Sequence, residues 1–130
     1  MEVKVIIVDD SQTLRTQVKY HLEGHGFKIV EAIDGIDGYE KISENRDASI
    51  IIVDLNMPGM NGLVLLQKLK DDNICNDVPK FVLTTESDEK SKATARAIGV
   101  AAWFLKPFIP EKLIGACERV LKRERQKKAS

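Results

Sequence analysis

The 130-residue chain is 43% hydrophobic and 31% charged, with 20 Lys plus Arg against 20 Asp plus Glu, which describes one globular domain with no global attraction to nucleic acid or to a membrane surface. Its two cysteines, Cys75 and Cys117, lie far apart and outside CxxC spacing, so they point to neither a disulfide framework nor a zinc site. The opening MEVKVIIVDD has too short an apolar run for a signal peptide, and no segment is long enough to span a bilayer, so a reducing cytoplasm is the expected compartment.

Along the chain, short apolar runs alternate with helical patterns. VKVIIV (3–8) is apolar on both parities, as a strand covered on both faces should be. It runs into Asp9 and Asp10, then Ser11, a candidate N-cap for a helix faced by Leu14, Val18 and Leu22 and ended by Gly24 or Gly26. FKIVEA (27–32) mixes in Lys28 and Glu31 and reads as an edge strand. His21 and His25, on either side of that first helix end, lack a partner at ligand spacing and are read as surface residues. Ile36, Tyr39 and Ile42 mark a second helix. SIIIV (49–53) runs straight into Asp54 and the loop LNMPGMNG, whose glycines and Pro58 are turn chemistry. Gly62, Leu66 and Leu69 mark a third helix, and KFVLT (80–84) a fourth strand leading into Thr85 and Glu86.

The fourth helix carries only a weak stripe of Ala93, Ala97 and Ile98 before Gly99. WFL (103–105) is a fifth strand, followed by Lys106-Pro107, a candidate cis peptide that would turn the ammonium inward. After Pro110, Leu113, Ile114, Cys117, Val120 and Leu121 repeat at helical spacing, with Cys117 as a small core residue. Lys122, Arg123, Arg125, Lys127 and Lys128 against Glu124 read as a solvated helix end whose cations suit the C-terminal dipole. The expected division is a domain over 1–126 and a short basic tail over 127–130, with nothing left for an output domain.

This (βα)5 pattern favours one open, doubly wound parallel sheet with helices on both faces. In such sheets ligands bind at the carboxyl ends of the strands, at the switch point. With strands in the order 2-1-3-4-5, the first and third are neighbours about 4.8 Å apart, and Asp9, Asp10 and Asp54 crowd together. At ~5 Å and an effective dielectric near 20, each like-charged pair costs roughly 3 kcal/mol. A divalent cation relieves this, and hard oxygen ligands at an open site suit Mg²⁺. A carboxylate beside such an ion can attack phosphorus, and the other strand ends offer donors to phosphoryl oxygens in Thr84, Thr85 and Lys106. Taken singly, each feature has a plainer reading: helix capping for the Asp pair, a strand end for Thr84, a surface lysine for Lys106. No GxxxxGK[ST] loop or GxGxxG turn is present, which argues against nucleotide binding.

The paired acids, the lone Asp54 in DLNMPGMNG, TTE (84–86) and KPF (106–108), in that order over nearly the whole chain, closely resemble a response-regulator receiver domain of the stand-alone, chemotaxis (CheY-like) type. The 2-1-3-4-5, flavodoxin-like order is the family's own, the chemotaxis receiver being a standard example of it, and is not read from these residues. The resemblance implies that Asp54 accepts a phosphoryl group from a histidine kinase. It implies that Asp10 binds Mg²⁺ (with Mn²⁺ as a substitute) directly, that Asp9 holds it through water, and that Asp54 and the backbone carbonyl of Asn56 complete the site. Lys106 would pair with phosphoryl oxygens and Thr84 would swing its hydroxyl to them. Trp103 occupies the position of the family's aromatic switch, usually Tyr or Phe, while Asn56 and Glu86 would tune hydrolysis.

The output partner, in the chemotaxis case a flagellar motor switch, is expected on the face of the fourth helix, fifth strand and fifth helix. The chain is expected to act as a monomer, without nucleic acid or membrane insertion, and without a substrate beyond its phosphodonor. Rival readings are a relay passing phosphate to a histidine phosphotransfer protein and an aspartyl-nucleophile phosphatase, whose DxD spacing is absent here. A third is a flavodoxin-like electron carrier, disfavoured because an acid-lined site repels a cofactor phosphate.

Overall fold

Each apolar run forms a parallel strand, and each helical pattern a helix. In the computed structural model, which describes residues 2–129 and only the backbone of the last two of these, the order is β1 (Val3–Val8), α1 (Gln12–Glu23), β2 (Phe27–Ala32), α2 (Gly35–Glu44), β3 (Ile50–Val53), α3 (Gly62–Asp71), β4 (Lys80–Thr84), α4 (Glu89–Ile98), β5 (Ala102–Leu105) and α5 (Pro110–Ala129). The five strands form one parallel sheet in the order β2-β1-β3-β4-β5, so β1 and β3 are neighbours. The expected basic tail from 127 continues α5, which runs through Lys127 to Ala129; Ser130 lies outside the described residues.

Strand alternation divides the core into two layers. Val5, Ile7, Ile50, Ile52, Phe81 and Leu83 face α1 and α5, meeting Leu14, Val18 and Leu22 from one helix and Leu113, Cys117 and Val120 from the other. Ile6, Val8, Ile51, Val53 and Val82 face the other way, onto Ile42 of α2 and Leu65, Leu66 and Leu69 of α3. Side chains of this size stabilise by roughly 1.5–3 kcal/mol each when fully buried, which holds the central strands and their ends in place. Cys117 is a core residue, and its burial pushes the thiol up to about 12.

Two helix faces differ from expectation. Ile36 is 62% exposed, and the inward face of α2 is Gly35, Gly38 and Ile42. The cause is close approach: a Cβ on Gly38 would lie 2.8 Å from Val8 Cγ1, so the glycine admits the strand where a larger residue would stand off. On α4, Ala93 and Ala97 are exposed and Ala95 is the buried residue. Of the expected stripe only Ile98, in the last turn, packs against the core, and the alanines at 93, 95 and 97 give the rest of the helix little apolar bulk to set its rotational phase.

Candidate functional site

The site is built at the carboxyl edge of the sheet. Asp9 follows β1 and Asp54 follows β3; the Asp54 N–H donates to the Val8 carbonyl at 3.0 Å and the Asp9 N–H to that of Ala32 at 3.1 Å, so both acids sit on the last rungs of the ladder. Ser11 caps α1 as expected, its Oγ accepting from the Leu14 N–H at 3.2 Å, and its own N–H donates to Asp9 Oδ1 at 2.8 Å. Asp9 and Asp54 are buried while Asp10 is exposed. One carboxylate oxygen from each of Asp9, Asp10 and Asp54 lies within 4.8 Å of those of the other two, the one such group among the described residues.

Lys106 bridges two of these acids. Its Nζ donates to Asp9 Oδ2 at 2.9 Å and to Asp54 Oδ2 at 3.0 Å, reaching in from the end of β5, and the Lys106–Pro107 peptide is cis. Burial lowers the lysine pKa, but the hydrogen bonds to Asp9 and Asp54 outweigh it and leave the ammonium above its ordinary value. For Asp9 the balance falls the other way: burial pushes the carboxyl above the usual range despite the hydrogen bonds from Lys106 and Ser11, and the Asp54 charge adds to the rise. One ammonium against three carboxylates leaves an excess of negative charge around three hard oxygen donors. That donor set fits a small divalent cation such as Mg²⁺.

Around this centre, Thr84 ends β4 fully buried, with its Oγ1 accepting from the Glu86 N–H at 3.3 Å. Thr85 is exposed, so of the two threonines only Thr84 lies in the interior. The Asn56 N–H donates to Asp54 Oδ1 at 3.3 Å. The side chains of Asn56 and Glu86 engage each other, Nδ2 donating to Oε1 at 3.1 Å, and so connect the loop after β3 to the loop after β4. Trp103 is half-buried against the α2/α3 layer, and its indole N–H donates to the Glu86 carbonyl at 3.1 Å. The ring is therefore already tied to the β4–α4 loop. His21 stacks edge-on against Phe108, and His25 is exposed.

Two residues not named for the site in the sequence also shape it. A Cβ on Gly62 would fall 2.1 Å from the Asp54 carbonyl oxygen, so the first turn of α3 rests directly on the backbone of Asp54. Arg15, buried on α1, donates through Nη1 to the Asp9 carbonyl at 2.6 Å. Gly62 stood at the junction of a turn and a helical pattern, where it read as turn chemistry and as part of the helix face. Arg15 carried no signal, because an arginine in the first turns of a helix that follows an acid pair is ordinary.

Residues 5–118 match the family model described as the response regulator receiver domain. Over 120 residues the chain is 38% identical to the chemotaxis protein CheY1 of Helicobacter pylori, covering 92% of this chain and 97% of that protein. It is 36% identical to a chemotaxis protein CheY homolog of Campylobacter jejuni, covering 92% of each. Among solved structures, the chemotaxis protein CheY4 of Vibrio cholerae superposes with a TM-score of 0.85 at 33% identity, covering 92% of this chain and 99% of that one.

Proposed function

The chain belongs to the response regulator receiver family and is a two-component response regulator, and from that premise we propose that it is a phosphorylation-operated binding switch with Asp54 as its acceptor. The observation that carries this is the Lys106 bridge between Asp9 and Asp54 inside a group of three carboxylates. It leaves the Asp54 carboxylate held in place, short of cationic partners and at the open end of the sheet.

In the proposed reaction an Asp54 oxygen attacks the phosphorus of a phosphohistidine on a kinase. The P–O bond forms as the P–N bond breaks, and the imidazole leaves as its neutral form after taking up a proton. Lys106, charged throughout, pairs with the phosphoryl oxygens as they replace part of its contact with Asp54. Thr84 turns its hydroxyl from the Glu86 N–H towards the same oxygens. Asp10, Asp54 and the Asn56 carbonyl would hold Mg²⁺, with Asp9 acting through water; when bound, the ion supplies positive charge to the phosphoryl oxygens and relieves the repulsion among the acids. Mn²⁺ offers the same charge and oxygen preference.

The Asn56–Glu86 contact lies between the two loops that border Asp54, so these residues are the ones to tune water attack on the phosphoryl bond. Because Trp103 is tied to the Glu86 carbonyl, moving Thr84 disturbs the N–H on the other side of the same residue and reaches β5 and α4. Output is therefore expected on the α4–β5–α5 face, at a protein partner; the relatives' names, chemotaxis proteins, support a chemotaxis partner, with the motor switch as the working target. No helix is long and apolar enough to cross a membrane among the described residues, and we place the protein in the cytoplasm, acting as a monomer over 1–126. Incubation with acetyl phosphate and Mg²⁺, followed by intact mass, tests the reading. One added phosphoryl group is expected, absent without magnesium and in Asp54→Ala; a gain that persists in Asp54→Ala ends the assignment.

A further inference from the structure

We infer that Arg15 is a positioning residue for Mg²⁺: its guanidinium, braced by Glu31, fixes the Asp9–Asp10 peptide and thereby aims the Asp10 carboxylate. This rests on the metal reading above. Three observations carry it. First, Asp10 is exposed and its carboxylate makes no hydrogen bond among the described residues, so within the protein only the backbone, through the direction of the Cα–Cβ bond, constrains where that carboxylate can reach. Second, the plane of that backbone is set by the Asp9 carbonyl, which lies beyond the last rung of the β1 ladder and accepts from Arg15 Nη1 at 2.6 Å. Third, the guanidinium cannot drift, because its Nε donates to Glu31 Oε1 at 3.1 Å and the side chain is 10% exposed.

Glu31 is the polar residue that makes β2 look like an edge strand. It sits opposite Ile7 in register, on the α1 side of the sheet, where Arg15 meets it and Lys19 approaches its other oxygen at 3.8 Å. The fork of one arginine thus joins strand β2, helix α1 and the acid-bearing end of β1. A planar guanidinium can serve a carbonyl and a carboxylate at once, which a lysine ammonium at the same place cannot do with fixed geometry. Partners that orient a metal ligand from behind contribute to affinity without touching the ion, and here the orientation passes through the Asp9–Asp10 peptide.

The test is a MgCl₂ titration of the full chain, followed by calorimetry and by emission of Trp103, with thermal melting of the same samples. Arg15→Gln is expected to raise the Mg²⁺ dissociation constant about 10-fold, with Arg15→Lys recovering part of the loss. A purely structural role would lower the melting temperature and leave the constant within about twofold of wild type, and that result overturns the inference. Should Arg15→Gln fail to melt cooperatively, Glu31→Gln takes its place: a rise of about threefold supports the brace and an unchanged constant refutes it. A wild-type chain that binds no Mg²⁺ overturns the metal reading and this inference with it, whereas tight wild-type binding with unchanged variants overturns this inference alone.

Discussion

Asp9 shows at the residue scale how the site is strained by its own chemistry. Its carboxyl is held above the usual range chiefly by burial, with Lys106 and Ser11 pulling it back and Asp54 adding to the rise. Between the ordinary carboxylate value and this raised one, the folded protein binds a proton that the unfolded chain does not. Stability of the metal-free protein therefore falls as pH rises through that window, and the cost is fully present above it. Asp9→Asn removes the charge and keeps an oxygen for Lys106 or Ser11. It is expected to stabilise the metal-free protein by about 1 kcal/mol at pH 7, a rise of about 4 °C in melting temperature. Below the raised value the difference should shrink. A melting curve at pH 7 in which Asp9→Asn is the weaker protein would show that the Lys106 contact outweighs the burial of the charge.

At the scale of elements, α3 and α4 behave as opposites. Leu65, Leu66 and Leu69 are fully buried, and Gly62 brings the first turn of α3 against the Asp54 backbone. A methyl at Gly62 gains at most about 1 kcal/mol of helix propensity, against an overpacking cost of about 1–3 kcal/mol. The clash at 2.1 Å is with a backbone carbonyl that no rotamer change can clear. Gly62→Ala is expected to lose about 2 kcal/mol in a urea titration; a variant as stable as wild type would mean that α3 is free to slide.

α4 buries Ala95 alone among its described residues, so little apolar area opposes its displacement. Its amides are expected to exchange with solvent faster than those of α3 in the unphosphorylated protein. Equal protection in the two helices would argue against α4 as the element that moves. The stripe expected for α4 was Ala93, Ala97 and Ile98; of these Ile98 packs against the core, and the buried alanine is Ala95 instead.

Over the whole molecule, the metal and the fold are thermodynamically linked. An ion that binds the assembled acids and not the unfolded chain stabilises by about 2.7 kcal/mol at a hundredfold excess over its dissociation constant. Mg²⁺ should therefore raise the melting temperature of wild type and have little effect on Asp54→Ala, with a chelator reversing the shift. A melting temperature indifferent to Mg²⁺ would contradict a metal held by these acids.

The strands, their alternation into two layers and the acids and lysine at their ends were determined by the sequence itself, because burial on both faces leaves continuous β-branched runs whose ends are visible as a change from apolar to charged. The strand order came through family resemblance, since parallel pairing leaves no mark in the residues of either strand. What only the tertiary structure decided is contact across elements: Lys106 spanning Asp9 and Asp54, Asn56 engaging Glu86, the indole of Trp103 on the Glu86 carbonyl, Arg15 on the carbonyl of Asp9. Local periodicity records which side of a strand or helix is buried. It carries no information about which polar groups meet once the sheet has twisted and the helices have settled on it, and those meetings make the site.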